Sequence, residues 1–460
     1  MASTRLSRTA GTPTLNTKHT ISMWFKRSKL SYGDCFLIDG YQDGNNRFKL
    51  SFDSSDRLEC YNTHGGSYTY TVITNRKFRD TSAWYHIVVA VDTTQSTDTN
   101  RVKLYVNGVQ ETDLATNNSP SINLANNVIN ESGATISIGD YQGGSNAFDG
   151  SMSHIHFCDG TQLAPTVFGS TDSTTGEWKI NTSPSFTLGN NGFTILKDGN
   201  TITDQSSNSN NFTLASGTLT KTEDCPSNVF SVWNNLNFVQ SKAYPVFSNG
   251  NTKMNGTHDA TYPNAISTLA IPKSGKYYAE FKNVGTQNFA VGICDMDKGT
   301  EALRTANTTI YNTSFNGAVS VRKDGNVLMN GSEVSGVIPT VATNDICMIA
   351  YDADNGAFYA GRNGTWGTIG GVVGVPTSGS SRTGATNISA QSWFTTSSHQ
   401  GFIVGSTSQS QYAIVEANFG NGYFGTTAVS SAGSNASGVG IFEYDVPTGY
   451  TALSTKGLNL

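Results

Sequence analysis

Hydrophobic and polar residues alternate along two short runs between Trp84 and Gln110. The apolar positions of these runs are Ile87, Val89, Val91, Val102, Leu104 and Val106. A period of two predicts half-buried β-strands. Asn107-Gly108 follows the second run and supplies two residues that tolerate positive φ, which a two-residue hairpin turn requires. The pattern therefore predicts two paired strands and a tight reversal into Val109 and Gln110.

Similar alternation continues through the rest of the first 160 residues, and turn residues separate the runs. Further strand-like runs lie at 20–27, 35–38, 47–52, 57–61, 67–74, 134–139 and 150–158. Turn signals at a spacing of roughly 8–12 residues are typical of β-sandwiches and barrels. Because no segment has the period of a long helix, the sequence predicts an all-β domain.

The second half of the chain starts another strand series at 275–284 and 288–295. Residues 345–366 repeat the central arrangement: a strand, an acidic turn, a strand and Asn-Gly. We predict a first domain over 1–225, a polar linker over 226–267 and a second domain over 268–460. Strand-like pieces within 190–222 are expected to return to the first domain and complete it.

The low content of charged residues and the negative net charge of the chain argue against some classes of partner. Charged residues make up 14% of the chain and its net charge is -5, whereas soluble globular proteins carry roughly 25% charged residues. Affinity for nucleic acid depends on clustered Lys and Arg, and no basic run exists, so no nucleic-acid partner is expected. The N-terminal residues lack a signal-peptide core and the apolar runs are too short to span a bilayer. We therefore expect synthesis in a cytosol and no membrane insertion.

The 6 cysteines stand far apart, without a C-x-x-C pair. This spacing favours buried, small hydrophobic residues in a reducing compartment over zinc ligands or disulfides.

Four segments of the first half resemble the concanavalin A-like, laminin-G-type sandwich, in the version common in virion proteins of marine bacteriophages. They are I-S-M-W-F-K-R (21–27), N-N-R-F-K-L-S-F-D (45–53), the hairpin at 84–110 and F-D-G-S-M-S-H-I-H-F-C-D-G (148–160). Residues 344–366, with the closing A-N-F-G-N-G-Y-F and Y-D-V-P-T-G-Y-T-A-L, are similar to SPRY-type sandwiches. The loop at 377–391, rich in Gly, Ser and Thr, departs from that pattern. The resemblance implies two tandem antiparallel β-sandwiches.

The same resemblance implies a non-enzymatic structural protein of a phage virion, as a fibre or spike component that binds host-surface glycan. Its expected partners are other virion proteins and further copies of itself, in a homotrimer or higher oligomer. A capsid- or tail-decorating protein without a receptor role is one alternative. A polysaccharide depolymerase is another.

Candidate catalytic and metal-binding residues are incomplete. Some concanavalin-like glucanases use E-x-D-x-x-E, which places nucleophile and acid/base on one strand. Glu111 with Asp113, and Glu443 with Asp445, each lack the third carboxylate, so no catalytic residue is expected. His154 and His156 would put two imidazoles on one strand face, but no third ligand is evident. The outward face of a strand explains that pair better than a metal.

Two loops carry acidic and amide side chains that could form a binding rim. They contribute Asp39, Asp43 and Asn45, and Asp140, Tyr141, Asn146 and Asp149. Calcium takes several oxygen ligands, and each loop offers them. Turn formation explains these residues more simply, so no cofactor is expected, with calcium as the alternative. Sugar binding needs an exposed aromatic platform; the candidates are Tyr68, Tyr70, Tyr141, Trp366 and Trp393. The ligand-binding residues predicted here are Asp140, Tyr141, Asn146, Asp149 and Trp393.

Overall fold

The computed structural model describes residues 4–197, 201–236, 245–256, 263–298, 317–397, 399–407 and 413–459. The chain forms two compact units, Met1–Lys221 and Thr222–Leu460. Each unit has two main sheets whose strands are almost all antiparallel. The prediction of an all-β chain with two tandem sandwiches is therefore confirmed.

The first unit contains sixteen described strands. They are β1 (Arg5–Thr9), β2 (Lys18–Arg27), β3 (Cys35–Asp43), β4 (Asn46–Phe52), β5 (Arg57–His64), β6 (Ser67–Lys77), β7 (Tyr85–Asp92), β8 (Val102–Val106), β9 (Val109–Gln110), β10 (Leu114–Asn118), β11 (Thr135–Ile138), β12 (Gly150–Asp159), β13 (Gly169–Thr171), β14 (Trp178–Ile180), β15 (Phe193–Ile195) and β16 (Thr213–Ser216). Short 3-10 helices lie at Asp98–Asn100, Val128–Asn130 and Pro165–Val167.

The second unit contains the remaining described strands. They are β17 (Val246–Ser248), β18 (Lys253–Asn255), β19 (Asn264–Ile266), β20 (Lys276–Asn283), β21 (Phe289–Asp295), β22 (Ala318–Arg322), β23 (Val327–Met329), β24 (Ser332–Val334), β25 (Ile346–Asp352), β26 (Ala357–Arg362), β27 (Thr365–Trp366), β28 (Thr368–Ile369), β29 (Val372–Val373), β30 (Thr386–Asn387), β31 (Gln400–Ser406), β32 (Ile414–Asn418), β33 (Tyr423–Phe424), β34 (Thr427–Ala428) and β35 (Thr451–Ala452). A helix spans Ser392–Thr396, and 3-10 helices lie at Pro376–Ser381 and Gly457–Asn459.

Two sheets enclose the core of the first unit. The larger has the strand order β10-β6-β5-β4-β3-β11-β1-β16 and the smaller has the order β15-β12-β2-β7-β8-β9. Alternate residues of both sheets point between them, because successive side chains of a strand alternate in direction. The buried side chains from the two sheets include Phe48, Leu50, Phe52, Ile87, Val89 and Leu104.

The predicted central hairpin is present. Strand β7 pairs with β8 from Ile87 opposite Val106 to Val91 opposite Val102. The turn has φ of 47° at Asn107 and 80° at Gly108, the left-handed values that Asn and Gly tolerate best. The Asn107 side-chain oxygen accepts the backbone N–H of His86 at 2.8 Å.

Strand β7 is buried on both faces, which differs from the half-buried strand that alternation predicts. His86, Val88 and Ala90 are each 0% exposed. Residues 163–186, called the cap segment below, cover this outward face with Phe168 and its neighbours. Alternation in the sequence indicates which face of a strand points into the core. It does not indicate which later segment will pack over the other face, here over the small side chain of Ala90.

Residues after 190 return to the sheets of the first unit. Strand β15 pairs with β12, and β16 pairs with β1. The buried carboxylate of Asp159 joins this returning segment to the N-terminal loop, since it accepts the backbone N–H groups of Thr14 and Asn191 and the side-chain amide of Asn130. The unit ends at Lys221, four residues before the expected boundary.

The stretch predicted as a linker, 226–267, contributes to the second unit. Strands β17 and β18 extend its nine-stranded sheet and β19 pairs with β31 in its six-stranded sheet. Trp233 from this stretch is 0% exposed in the core. Polar composition suggested a linker, but the described strands of this stretch are three residues long each and need few apolar residues.

Five of the cysteines are buried, Cys225 is half-buried, and all have free thiols. Within the described parts of the chain, no helix is both long and apolar enough to cross a bilayer.

Candidate functional site

The outward face of the eight-stranded sheet carries alternating aromatic and cationic side chains. Strand β4 shows how the sequence produces it, because Leu50 points into the core while Lys49 points out. The register places Lys49 between Asp39 of β3 and Tyr61 of β5. The row, called the cation–aromatic face below, consists of Tyr141, Arg47, Phe36, Lys49, Tyr61 and Tyr68.

Each cation in this row lies against two rings. The guanidinium carbon of Arg47 is 4.7 Å from the Phe36 ring centre and 4.9 Å from that of Tyr141. The Lys49 ammonium nitrogen is 5.1 Å from the Phe36 ring centre and 5.2 Å from that of Tyr61. Cation–π contacts at such distances contribute about 0.5–1 kcal/mol at exposed sites and more when desolvated. The contacts fix the orientation of both rings and cations.

Carboxylates neutralise both cations. Arg47 Nε donates to Asp39 Oδ1 at 2.6 Å, and Lys49 Nζ pairs with Asp34 at 2.9 Å and with Glu59. Burial acts to lower the pKa of Lys49, but the two carboxylates outweigh it and raise that pKa, so the ammonium stays charged. Burial raises the pKa of Asp39, against the opposing effect of Arg47. The face is polar yet has little uncompensated charge.

Tyr68 is the exposed end of the row. Its side chain is 67% exposed, and its ring meets that of Tyr61 edge to face with centres 5.1 Å apart. An exposed ring beside fixed hydrogen-bonding groups can stack against the apolar face of a sugar while those groups bind its hydroxyls.

The structure brings Asp140, Tyr141 and Asn146 together at the other end of the row. Asp140 Oδ1 accepts the backbone N–H groups of Tyr141 at 2.8 Å and Asn146 at 3.0 Å. The half-buried Tyr141 ring packs on Phe36, with centres 5.4 Å apart. Arg5 stabilises the loop by donating to the backbone carbonyl of Tyr141 at 3.0 Å. These three predicted residues therefore share one site.

Asp149 does not join them. Its backbone carbonyl accepts the N–H of Ser28, and its carboxylate interacts electrostatically with Lys29. Burial raises the pKa of Asp149, and Lys29 opposes that shift. Asp149 thus belongs to the junction of β12 with β2.

Asp43 stabilises a turn, which agrees with the interpretation of its loop as turn-forming. Its Oδ1 accepts the backbone N–H groups of Asn45 at 2.8 Å and Asn46 at 3.0 Å. Asp39 is instead fully buried beside Arg47. In the described residues, no three His, Cys, Asp or Glu side chains are grouped so that they could hold a metal ion.

The prediction of Trp393 as a sugar platform is wrong, because its side chain is 0% exposed in the core of the second unit. Tyr70 is also buried, at 1% exposed. Trp366 is half-buried against Tyr278 and Tyr359. A tryptophan in a polar sequence segment does not reveal from sequence alone which way its ring turns.

The incomplete carboxylate pairs hold loops. Glu111 forms an ion pair with Arg76, and Asp113 accepts the side-chain amide of Asn75 at 2.6 Å. Glu443 accepts the backbone N–H of Ser430 at 2.6 Å. Asp445 accepts that of Ser434 at 2.7 Å, which together with the Ser434 hydroxyl lowers the pKa of Asp445.

The histidine pair is not on an exposed face. His154 and His156 are 5% and 3% exposed, with ring centres 6.4 Å apart. A register irregularity between Ser153 and His156 interrupts the strand, and Phe168 and Phe186 of the cap segment pack on His156. The pair faces away from the core that contains Ile155 and Phe157, as expected, but this outward face is buried.

Sequence reasoning missed the cations of the site. Arg47 and Lys49 occupy alternate positions of a strand, directly opposite Tyr41 and Asp39 across the ladder. The signal was present as R-F-K-L, in which each cation precedes a core residue. Only the strand register shows which rings and carboxylates those cations meet.

The site thus lies on a concanavalin-like sandwich in a tandem of two sandwiches. Residues 5–167 match the family model described as the concanavalin A-like lectin/glucanases superfamily. No curated protein matches the chain.

Solved structures similar to parts of the chain include the SPRY domain of human HERC1, with 14% identity and a TM-score of 0.28, covering 38% of this chain and 91% of that one. A native heptameric SAP-like pentraxin from Limulus polyphemus has 16% identity and a TM-score of 0.25, with 35% and 71% covered. Domain 4 of AbnA, a GH43 extracellular arabinanase from Geobacillus stearothermophilus in complex with arabinotriose, has 19% identity and a TM-score of 0.24, with 32% and 63% covered. Similarities at this level carry no argument about function.

Proposed function

We propose that the first unit binds a glycan on the cation–aromatic face, between Tyr68 and Tyr141. The observation that carries the proposal is the row itself, in which rings alternate with cations that are each ion-paired to a carboxylate on the outward face of one sheet. The match of residues 5–167 to a superfamily of lectins and glucanases supports it.

The chemistry of the face fits a sugar. The exposed Tyr68 ring offers an apolar surface for stacking. The partly exposed Arg47, Asp34 and Glu59 offer donors and acceptors, and their pairing with the buried Asp39 and Lys49 fixes their positions before a ligand arrives. Fixed positions reduce the entropy lost on binding. Since the carboxylates neutralise the cations, we propose a predominantly uncharged glycan.

Binding, without catalysis, is the proposed role. The carboxylates of Glu111, Asp113, Glu443 and Asp445 are each engaged by neighbouring groups that fix loops. Retaining and inverting glycosidases need a pair of carboxylates facing the scissile bond. Incubation with polysaccharide should therefore release no reducing ends.

We further propose that the chain is a structural component of a bacteriophage virion, in a fibre or spike, and that it contacts the host surface. The resemblance of four sequence segments to sandwiches of virion proteins is the ground for this role. Weak sugar contacts gain strength when several copies act together, so a homotrimer or higher oligomer is proposed. Antibody labelling of particles should place the protein on a projection, whereas labelling confined to the shell surface would favour the decorating role.

A glycan array tests the ligand. The full chain, displayed multivalently, should bind a set of uncharged glycans, with less than a twofold change between 50 mM and 500 mM salt. Retention confined to acidic glycans and lost at high salt would contradict the proposed ligand class, because ionic contacts between exposed charges are screened at that ionic strength.

A further inference from the structure

Residues 164–186 of the cap segment are held on the sheet mainly by apolar packing. Phe168 and Phe186 of the cap pack over Val88 and Ala90 of β7. Among the hydrogen bonds of residues 164–186 within the described chain, the one that reaches the sheet runs from Trp178 Nε1 to His86 Nδ1 at 3.0 Å. Leu163, the first residue of the cap segment, also donates its backbone N–H to the Thr20 hydroxyl of β2 at 2.9 Å. The described attachment of residues 164–186 is otherwise apolar packing.

This bond requires a neutral imidazole. An indole N–H can only donate, so His86 Nδ1 must present a lone pair to Trp178. The other ring nitrogen, Nε2, then carries the proton and donates it to the Ser22 hydroxyl oxygen at 2.9 Å. Both ring nitrogens of His86 are thus hydrogen-bonded. Trp178 fixes the tautomer, because its indole N–H cannot accept a hydrogen bond.

Among the residues that the structure describes, no carboxylate acts on His86. Trp24 of β2 stacks on it with ring centres 4.8 Å apart, and Phe168 of the cap lies 6.3 Å away. His156 of β12 interacts electrostatically with His86, and His154 and Lys197 act on His156 in the same way. Burial lowers the pKa of His86 to about 3. Burial also lowers the pKa of His156 to about 3, together with the charges of His154, His86 and Lys197.

We propose that His86 and Trp178 form a pH-sensitive latch that holds the cap segment on the sheet and releases it when His86 is protonated. A proton from solvent adds to Nδ1, which turns the acceptor of the indole N–H into a donor. The hydrogen bond is lost, and the buried imidazolium has no counterion until the cap lifts and water reaches it. Release exposes the apolar face around Val88 and makes His156 accessible to protonation.

Hydrogen exchange of the full chain at pH 6.5 and 4.5, corrected for the intrinsic pH dependence of exchange, tests the latch. Amides of β13 and β14 should lose protection by about 100-fold, because a histidine with an ordinary pKa near 6.5 binds its proton over those two units. The β2 amides should change far less. Equal protection of β13 and β14 at both pH values would overturn the proposal.

Two variants separate the latch from general acid sensitivity. His86→Asn keeps an acceptor near the position of Nδ1 but cannot be protonated, so the acid-induced loss should fall to tenfold or less. Trp178→Phe keeps a ring without the N–H and should reduce cap protection at pH 6.5 by about tenfold, which corresponds to one lost hydrogen bond. An undiminished acid response in His86→Asn, or unchanged protection in Trp178→Phe, would each refute the latch. If His86→Asn does not fold, Trp178→Phe decides.

Discussion

Gly108 is required for two reasons, its backbone conformation and the close approach of a tryptophan ring. Its φ of 80° favours glycine, and a Cβ atom there would overlap the Trp178 ring. The sequence predicted the first requirement from Asn-Gly between alternating strands. The second could not be predicted, because Trp178 lies seventy residues further along the chain and nothing in its own surroundings indicates its target.

We predict that Gly108→Ala destabilises the first unit by about 2–4 kcal/mol, since a left-handed alanine costs about 1–2 kcal/mol and the methyl group also displaces the indole. Gly133→Ala is the matched control, because Gly133 has φ of 85° with no atom within 4 Å of the added Cβ. Urea unfolding of both variants measures the difference. Equal losses would show that the Trp178 contact contributes nothing.

The two Asn-Gly hairpins are the same element used twice. In the first, Asn107 Oδ1 accepts the N–H of His86 at 2.8 Å; in the second, Asn363 Oδ1 accepts that of Ile346 at 2.8 Å. An aromatic ring from a later segment packs on the glycine in both cases, Trp178 on Gly108 and Tyr444 on Gly364. Alternation and turn residues predicted the hairpins, whereas the rings that cover them depend on tertiary packing.

We predict that Asn107→Ala and Asn363→Ala each cost about 1–2 kcal/mol, because each leaves a backbone N–H without its acceptor and places alanine at positive φ. The matched controls are Asn107→Asp and Asn363→Asp, which retain an acceptor and should cost less than half as much. Denaturant unfolding of the four variants provides the measurement. A loss at only one of the two turns would contradict their equivalence.

On the scale of the whole molecule, the two units contain buried groups that respond oppositely to pH. In the first, burial lowers the pKa of His19 to about 4 and those of His86 and His156 to about 3. In the second, burial raises the pKa of Glu280 to about 7, although it accepts the N–H groups of Glu443 and Tyr444.

A depressed histidine pKa gives stability that is present above the unfolded value near 6.5 and is lost as pH falls towards the folded value. The elevated pKa of Glu280 gives stability that is present below the unfolded value near 4.5 and is lost as pH rises through about 7. Each group contributes about 1.4 kcal/mol per pH unit within its window.

Calorimetry of the full chain between pH 5 and 7 should therefore show two transitions that shift in opposite directions. Glu280→Gln should remove most of the pH dependence of the second unit and leave that of the first unchanged. Parallel shifts of both transitions would contradict this assignment.

The fold was more predictable than the site. Period-two patterns identified most strands of the first unit, because a sandwich core imposes them locally. The site depends on register across three strands, which places Lys49 beside Tyr61 and Asp39, and on a loop that turns Tyr141 over Phe36. Tyr141 was predicted from its loop, but Trp393 was misassigned because a short helix buries it.

The central claim is glycan binding on the cation–aromatic face, and the affinity of Tyr68→Ala for a glycan that the chain binds tests it most directly. Tyr68 is 67% exposed, so the variant should fold normally and bind at least tenfold more weakly, a loss of about 1.4 kcal/mol. Val109→Ala, at a residue 70% exposed on the edge of the other sheet, should bind like the unchanged chain. Equal affinities for Tyr68→Ala and the unchanged chain would contradict binding at this face.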